Sequence, residues 1–406
     1  MPEKIADALV LTLPAHRTLM EWRSRGTLGR EREMLVAMQE QYGRIILVTH
    51  GTDQDLLAAQ SIRSPEDHWF DVVPTLASGE ARNDAEVAQR VLHAVRGGTD
   101  HATGRVVIQT MQLDDGGLAG LLKPALVDAG LSVSVIARGG YLPSRVVATE
   151  QGPHTPRCVA AGVIERNICK LADAVIGPTQ KMLEDLSWRH AVDPETTHVV
   201  PNFVLAAEDP TPASEREPAT LLTCCSLVPR KRVDRLVRAA AALAADLGDE
   251  ARLDVLGEGP LRMELMALAE ELNAPVHFLG HRPHEEVTER MSKCTAFVMA
   301  STFETNPRPL LEAMAQGAPV IVANSPGLAE HIENGVSGVI VPGSPESFAF
   351  SLAGVIPDPD WRDMLGAAAA QSVARSSSLE RVVAKTLEAH RAAVERAGAD
   401  EERRAA

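Results

Sequence analysis

Basic charge is what this sequence is short of. Forty Lys and Arg face 55 Asp and Glu in 406 residues, a formal net charge of −15. A nucleic-acid binder needs a basic face to neutralise phosphates, and an anionic bilayer attracts only such a face, so both partners are disfavoured. Cysteine is sparse as well: Cys158, Cys169, Cys224, Cys225 and Cys294 form no C-x-x-C pair, which suggests reduced thiols of a cytoplasmic protein. No uncharged apolar run approaches the roughly 20 residues of a spanning helix. The opening "MPEKIADALVLTLPAH" carries an apolar stretch of only about seven residues between charges, too short for a signal peptide. Aromatic residues are 3% of the chain, but hydrophobic residues reach 45%, ordinary for a globular protein. The expectation is a soluble cytoplasmic protein, long enough for two domains.

What the sequence has is alternation. Strand-like "ADALVLTLP" ends at Pro14, a loop holding Gly26 and Gly29 follows, and then come the helical "GREREMLVAMQEQYG" and the strand "RIILVTHG". "NDAEVAQRVLHAVRGG", "GRVVIQTM", "GLAGLLKPALVDAG", "SVSVIARGG", "VAAGVIERNICKLA" and "DAVIGPT" continue the rhythm of a parallel sheet with crossover helices. Residues 205–218, "LAAEDPTPASEREP", are rich in Pro, Ala and charge without period, and read as a linker. A second series follows: "ATLLTCCSLV", "VDRLVRAAAALAADL", "ARLDVLGEG", "PLRMELMALAEEL", "VHFLG", "HEEVTERMSKC", "TAFVMAS", "APVIVAN" and "GVIVPG". The organisation expected is an α/β domain at 1–204, the linker, a second α/β domain at 219–375, a helix at 376–396 able to pack back on the first domain, and a polar tail at 397–406.

Residues 302–322, "TFETNPRPLLEAMAQGAPVIV", set Glu304 before a helix start and Glu312 inside the helix. Pro309 suits the first helical position and Gly317 the carboxyl cap, which puts Glu312 in the first turn. Complementing the helix dipole would be worth only ~0.5 kcal/mol. Arg308 is a poor capper, leaving the N–H groups of Leu310 and Leu311 for an anion. Ligands of open α/β sheets sit at the carboxyl ends of strands, where this loop lies. Phosphate repels carboxylates, so Glu304 and Glu312 suit hydroxyls, as in a ligand with sugars on either side of phosphates. "SLVPRKRVD" then supplies Arg230, Lys231 and Arg232 at another strand's end. They read either as a solvated turn or as partners of a diphosphate, where one cation about 4 Å from a phosphate gives ~4 kcal/mol before desolvation. "LDVLGEGPLRMEL" has Gly257 and Gly259 but Arg262 at the third fingerprint position, and "VHFLG" ends without a ribose-binding acid; this points to close backbone approach, not NAD. The acidic pairs Asp53/Asp55 and Asp114/Asp115 read as surface, and His281 and His284 lack a third ligand at metal spacing, so no metal site is expected. Neither a P-loop nor a G-x-S-x-G is present.

Taken in order, "LVPRKRVDRLVRAA", "LDVLGEGPLRMEL", "VHFLGH", "FETNPRPLLEAMAQGAPVI" and "GLAEHIENGVSGVIVPG" resemble the retaining glycosyltransferases of family 4 over about residues 218–345. The first half is similar more loosely, through the Gly26/Gly29 loop, "VIERNICKLADAVIGPTQ" and "VVPNFV". The resemblance implies a GT-B fold, two facing Rossmann-like domains with a cleft between them. It implies metal-independent transfer of a hexose-type sugar from a nucleoside diphosphate to a small acceptor of the natural-product or cell-envelope kind, with no cofactor. In that frame Glu304 faces the donor sugar, Lys231 and Arg230 stabilise the departing diphosphate, and Glu312 grips the ribose. His281 and Arg282 border the base, while Gly26, Gly29, Ser226, Gly257, Asn306, Arg308, Leu310 and Leu311 line the donor site. Arg138, in "SVIARGG", faces the acceptor. Two departures stand out: Ser226 occupies the place of a usual arginine, and Arg138 that of a frequent histidine. Pro307 and Pro309 also remove two N–H groups from the loop. Other GT-B chemistry, an epimerase or a phosphorylase, and a nucleotide-sugar-binding protein without turnover are the alternatives.

Overall fold

Runs of apolar residues too continuous for a one-sided strand demand a sheet covered on both faces. The structure, a computed structural model, describes residues 4–14, 18–24, 27–60, 69–77, 80–97, 104–205, 211–247 and 251–405. Gly26 lies outside them. The chain divides into two compact units, Met1–Val200 with Val382–Ala406, and Pro201–Arg381.

In unit 1 the strands are β1 (Ala6–Thr12), β2 (Tyr42–Thr49), β3 (Phe70–Pro74), the short pair β4 (Leu76–Ala77) and β5 (Glu80–Ala81), β6 (Arg105–Thr110), β7 (Ser132–Arg138), β8 (Ala174–Gly177) and β9 (Thr197–Val199). Seven of them form a parallel sheet in the order β3-β2-β1-β6-β7-β8-β9. The helices are α1 (Leu19–Ser24), α2 (Leu28–Met38), α3 (Gln54–Gln60), α4 (Asp84–Arg96), α5 (Gly116–Asp128), α6 (Pro143–Gln151), α7 (Pro156–Leu171) and α8 (Gln180–His190). Gly29, expected in a loop, belongs to α2. One face of the sheet packs Val10, Ile108 and Val135 into a core with Leu122 and Leu126 of α5.

In unit 2 the strands β10 (Thr220–Cys224), β11 (Arg252–Leu256), β12 (Val276–Gly280), β13 (Ala296–Met299), β14 (Val320–Ala323) and β15 (Val339–Val341) form a parallel sheet in the order β12-β11-β10-β13-β14-β15. Helices α9 (Val233–Leu247), α10 (Arg262–Glu271), α11 (His284–Lys293) and α12 (Arg308–Ala315) cross between strands, and α13 (Pro345–Val355) and α14 (Pro359–Ser377) follow the last one. Both sheets are thus doubly wound, with the strand order reversing between β1 and β6 in unit 1 and between β10 and β13 in unit 2.

The stretch read as a linker differs from that reading. Arg216, 6% exposed, is buried in unit 2, and Val204, assigned from the sequence to the first domain, joins the core of unit 2. The Arg216 guanidinium donates to five carbonyls: Thr211, Met291, Cys294, Gln316 and Gly317. Four of these belong to the ends of α11 and α12, whose partial negative charge answers the buried cation. Composition alone hid this, because Arg216 sits among polar neighbours.

The last helix, α15 (Leu379–Ala405), begins in unit 2 and continues in unit 1 from Val382. There His390, fully buried, hydrogen-bonds Tyr42 through Nδ1 and Gln109 Oε1 through Nε2 at 2.7 Å. Burial holds the imidazole down at about 3 and pushes the Tyr42 phenol up. The neutral ring ties α15 to the sheet of unit 1.

Candidate functional site

The carboxyl ends of β10 and β13 flank the switch point of unit 2, where the diverging crossovers leave a crevice. After β10 the chain runs through Ser226, which is exposed, into a short 3₁₀ turn at Pro229–Lys231. After β13 it runs through Ser301 to Glu304. The two exits are stitched together: the Thr302 N–H donates to the Arg230 carbonyl at 2.9 Å. Arg230 Nη1 lies 3.2 Å from Glu304 Oε2 and Lys231 Nζ pairs with Glu304 Oε1. All three side chains are largely buried, Glu304 at 8% exposure. Two cations thus converge on one carboxylate at the carboxyl ends of the two central strands. Of the three adjacent cations, Arg232 is engaged elsewhere, holding Asp234 of α9 at 2.8 and 2.9 Å.

Backbone packing explains why Glu304 is fixed. Its N–H donates to the Pro326 carbonyl at 3.0 Å, and Gly327 passes so close that a Cβ there would come within 2.0 Å of the Glu304 carbonyl oxygen. With φ at +76°, Gly327 also needs the left-handed region that glycine alone enters freely. Gly257 shows the same logic. Its φ is +123°, and a Cβ would meet the Cys225 carbonyl oxygen at 2.0 Å. The close approach inferred for the Gly257/Gly259 pair is therefore made by the β10 exit loop.

Glu312 stands half-buried on α12, with its carboxylate in the electrostatic environment of the Cys224 thiol, which Lys231 also reaches. Burial pushes Cys224 up to about 12 and Cys225 up to about 11, so these half-buried thiols stay protonated against the neighbouring charges. The structure therefore brings Lys231, Arg230, Glu304 and Glu312 around the exit of β10.

Two expectations about α12 need correction. The helix starts one residue early, with Pro307 at its cap and Arg308 as its first residue, so Glu312 falls in the second turn. The N–H groups of Leu310 and Leu311 are not left over: both donate to the Pro307 carbonyl, at 3.1 and 3.3 Å, and both side chains are buried. A proline at the cap still offers its carbonyl, which closes the turn tightly. The Asn306 side chain is engaged too. Its Oδ1 accepts from the Asn202 N–H at 2.8 Å and its Nδ2 faces His331 Nε2 at 3.2 Å, an imidazole that burial lowers to about 4.

The remaining candidates are scattered. His281 is exposed, and Arg282 Nε, just before α11, lies 3.5 Å from Glu286 of that helix. In unit 1, Arg138 ends β7 half-buried; burial pulls its guanidinium below the usual arginine range, against the pull of Glu31. Asp115, read as surface, is 3% exposed and bonds His50, and Asp55 is buried beneath the Met20 N–H. The acidic pair was the only signal for Asp115, and nothing in its spacing marks burial. Among the described residues no group of three or more His, Cys, Asp or Glu is arranged to hold a metal ion, and no helix is long and apolar enough to cross a membrane.

Comparison with known families decides the kinship of this crevice: residues 207–372 match the model of the glycosyl transferases group 1. Those residues are similar to a glycosyl transferases group 1 domain. A D-inositol 3-phosphate glycosyltransferase of Geodermatophilus obscurus is 30% identical over 268 residues, 61% of this chain and 58% of the relative. A GDP-mannose-dependent alpha-(1-6)-phosphatidylinositol dimannoside mannosyltransferase of Mycobacterium tuberculosis is 32% identical over 141 residues, 34% of this chain and 36% of its own. The chain thus spans less than two thirds of the length of these relatives. Among solved structures, HepE of Anabaena in complex with UDP and glucose superposes with a TM-score of 0.68 at 16% identity, over 94% of this chain and 98% of that one. WaaG, a glycosyltransferase involved in lipopolysaccharide biosynthesis, gives 0.64 at 20% identity over 94% and 98%. At such identities the likeness concerns the fold: two Rossmann-like units of the GT-B type.

Proposed function

We propose that this chain is a retaining, metal-independent glycosyltransferase that moves a hexose-type sugar from a nucleoside diphosphate to a small hydroxylated acceptor. The observation that carries the reading is the meeting of Lys231, Arg230 and Glu304 across the β10/β13 switch point of a unit similar to a glycosyl transferases group 1 domain. A diphosphate leaving group develops charge as the glycosidic bond breaks, and two fixed cations in a crevice stabilise that charge without reorganising. Glu304, already within their reach, is placed to hold sugar hydroxyls beside the diphosphate, and Glu312 to take the ribose. The donor's own phosphate then accepts the acceptor proton on the face from which the nucleotide leaves, which keeps the anomeric configuration. Arg138 in unit 1 favours an anionic acceptor, and the naming of relatives for D-inositol 3-phosphate makes that compound the first to try.

The test is a transfer assay with UDP- and GDP-sugars and D-inositol 3-phosphate, read by the anomeric proton coupling of the product. We expect the donor's configuration in the product, and undiminished turnover in excess chelator. An inverted product contradicts retention; activity lost in chelator and restored by manganese contradicts metal independence. The exposed Ser226 at the usual arginine position favours one second reading, a nucleotide-sugar binder, which would saturate with donor and release no nucleotide.

A further inference from the structure

We propose that His50 and Asp115, with the Thr12 hydroxyl beside them, form a hydroxyl-binding site for the acceptor in unit 1. His50 is the binding residue and Asp115 positions it. The inference rests on the reading of unit 1 as the acceptor side.

Place comes first. Thr12 ends β1, His50 follows β2, and Asp115 lies five residues beyond the end of β6. The strand order of unit 1 reverses between β1 and β6, so these residues border the crevice where a doubly wound sheet receives its ligand. Geometry comes second. Asp115 is the residue before α5, a position where an aspartate ordinarily accepts from the first turn's N–H groups. Here it makes no such bond; its Oδ1 instead takes His50 Nε2 at 3.1 Å. The carboxylate is 3% exposed, and the Thr12 hydroxyl stands beside it. Burial raises it to about 6, with His50 and the Thr12 hydroxyl pulling the other way, so near pH 7 it is mostly ionised. An ionised carboxylate takes the Nε2 proton and fixes the tautomer in which Nδ1 carries the lone pair. The His50 side chain, 27% exposed, keeps access to solvent.

A second His–carboxylate pair in the same unit shows what a structural one looks like. Glu165 is fully buried and takes three donors, the Ser144 N–H, the Ser144 hydroxyl and His190 Nε2, the last from a ring only 9% exposed. Every acceptor there has work within the fold. The His50–Asp115 pair instead leaves the edge of a 27% exposed ring open, with Nδ1 able to accept from a sugar or polyol hydroxyl.

The experiment is isothermal titration of myo-inositol and D-inositol 3-phosphate into the wild-type chain, His50→Phe and Asp115→Asn, without donor, followed by donor hydrolysis and transfer kinetics. We expect probe affinity to fall about tenfold or more in His50→Phe, the loss of roughly one hydrogen-bonded group's worth of binding. Asp115→Asn, which keeps shape and loses the tautomer lock, should raise acceptor KM by a smaller factor. Nucleotide affinity and donor hydrolysis should stay within about twofold of wild type, since a residue serving only acceptor binding leaves them alone. Wild-type probe affinity in both variants overturns the proposal. So does a parallel fall in nucleotide affinity and hydrolysis, which marks a structural role. A wild-type chain that binds the probe through His50 yet transfers no sugar keeps this site and overturns the transferase reading instead.

Discussion

At the scale of single residues the central pairing is Lys231 and Arg230 on Glu304. Buried charges of this kind are costly unless matched, so each partner's removal has a consequence beyond one lost contact. Arg230 is the nearest cation in sequence to Ser226, where a charge is wanting, and its Nη1 already reaches into the site. If it stands in for that charge, Arg230→Ala should cut turnover by about tenfold or more, because 1.4 kcal/mol of transition-state stabilisation is already tenfold. Adding Ser226→Arg should restore part of the loss. Steady-state kinetics on the single and double variants decide it, and full turnover in Arg230→Ala would leave the role to Lys231 alone. The types and spacing of these residues were legible in the sequence. Their mutual pairing was not, since Lys231 and Glu304 are 73 positions apart and only the β10/β13 neighbourhood joins them. The N–H groups of Leu310 and Leu311 were misjudged for a local reason: the helix caps on Pro307, whose carbonyl takes both.

At the scale of elements, most strands and long helices were visible as apolar runs and periodic stretches; "VDRLVRAAAALAADL" is α9 residue for residue. What escaped was short or weakly patterned: α1, β3, α3, α6 and α8 in unit 1, and α13 and α14 in unit 2, the last with a run of alanines and no clear apolar face in its middle. Arg216 is an element-scale device, joining the ends of α11 and α12. Arg216→Met should cost roughly 3–5 kcal/mol in denaturant unfolding, since the buried carbonyls lose their donor. A loss under about 1 kcal/mol, the worth of an ordinary exposed contact, would show that water replaces the guanidinium. The docking of α15 carries a pH dependence. In the fold His390 is held neutral down to about 3, whereas unfolded it takes a proton near its ordinary 6.5. Its contribution is therefore fully present above about pH 6.5 and falls as the pH drops toward 3. Asp115, raised to about 6, works in the opposite sense between about 4 and 6, so the comparison must be with a variant. From pH 7 to 5 the wild type should lose about 2 kcal/mol more stability than His390→Gln, at about 1.4 kcal/mol for each pH unit below 6.5. Equal losses would mean that the ring titrates freely.

At the scale of the whole molecule, the alternation of strand and helix announced two doubly wound units, and the structure has them. The crossing points were less legible. The chain passes between units at Val200/Pro201 and again at Arg381/Val382, inside stretches whose composition does not change there; the Pro- and Ala-rich segment caught the eye instead. The acidic balance of the chain makes the basic residues at the β10 exit conspicuous, and it is on them that the functional reading stands. The most direct measurement is isothermal titration of UDP and GDP into the wild-type chain, Lys231→Ala and Glu312→Ala. Binding to the wild type is expected with at least one of the two nucleotides. Glu312→Ala should weaken it by roughly 1.5–3 kcal/mol, the worth of a hydrogen bond to a charged group, and Lys231→Ala by at least as much. Nucleotide binding equally tight in all three proteins, or absent from the wild type, would contradict the assignment of this crevice to a nucleoside diphosphate.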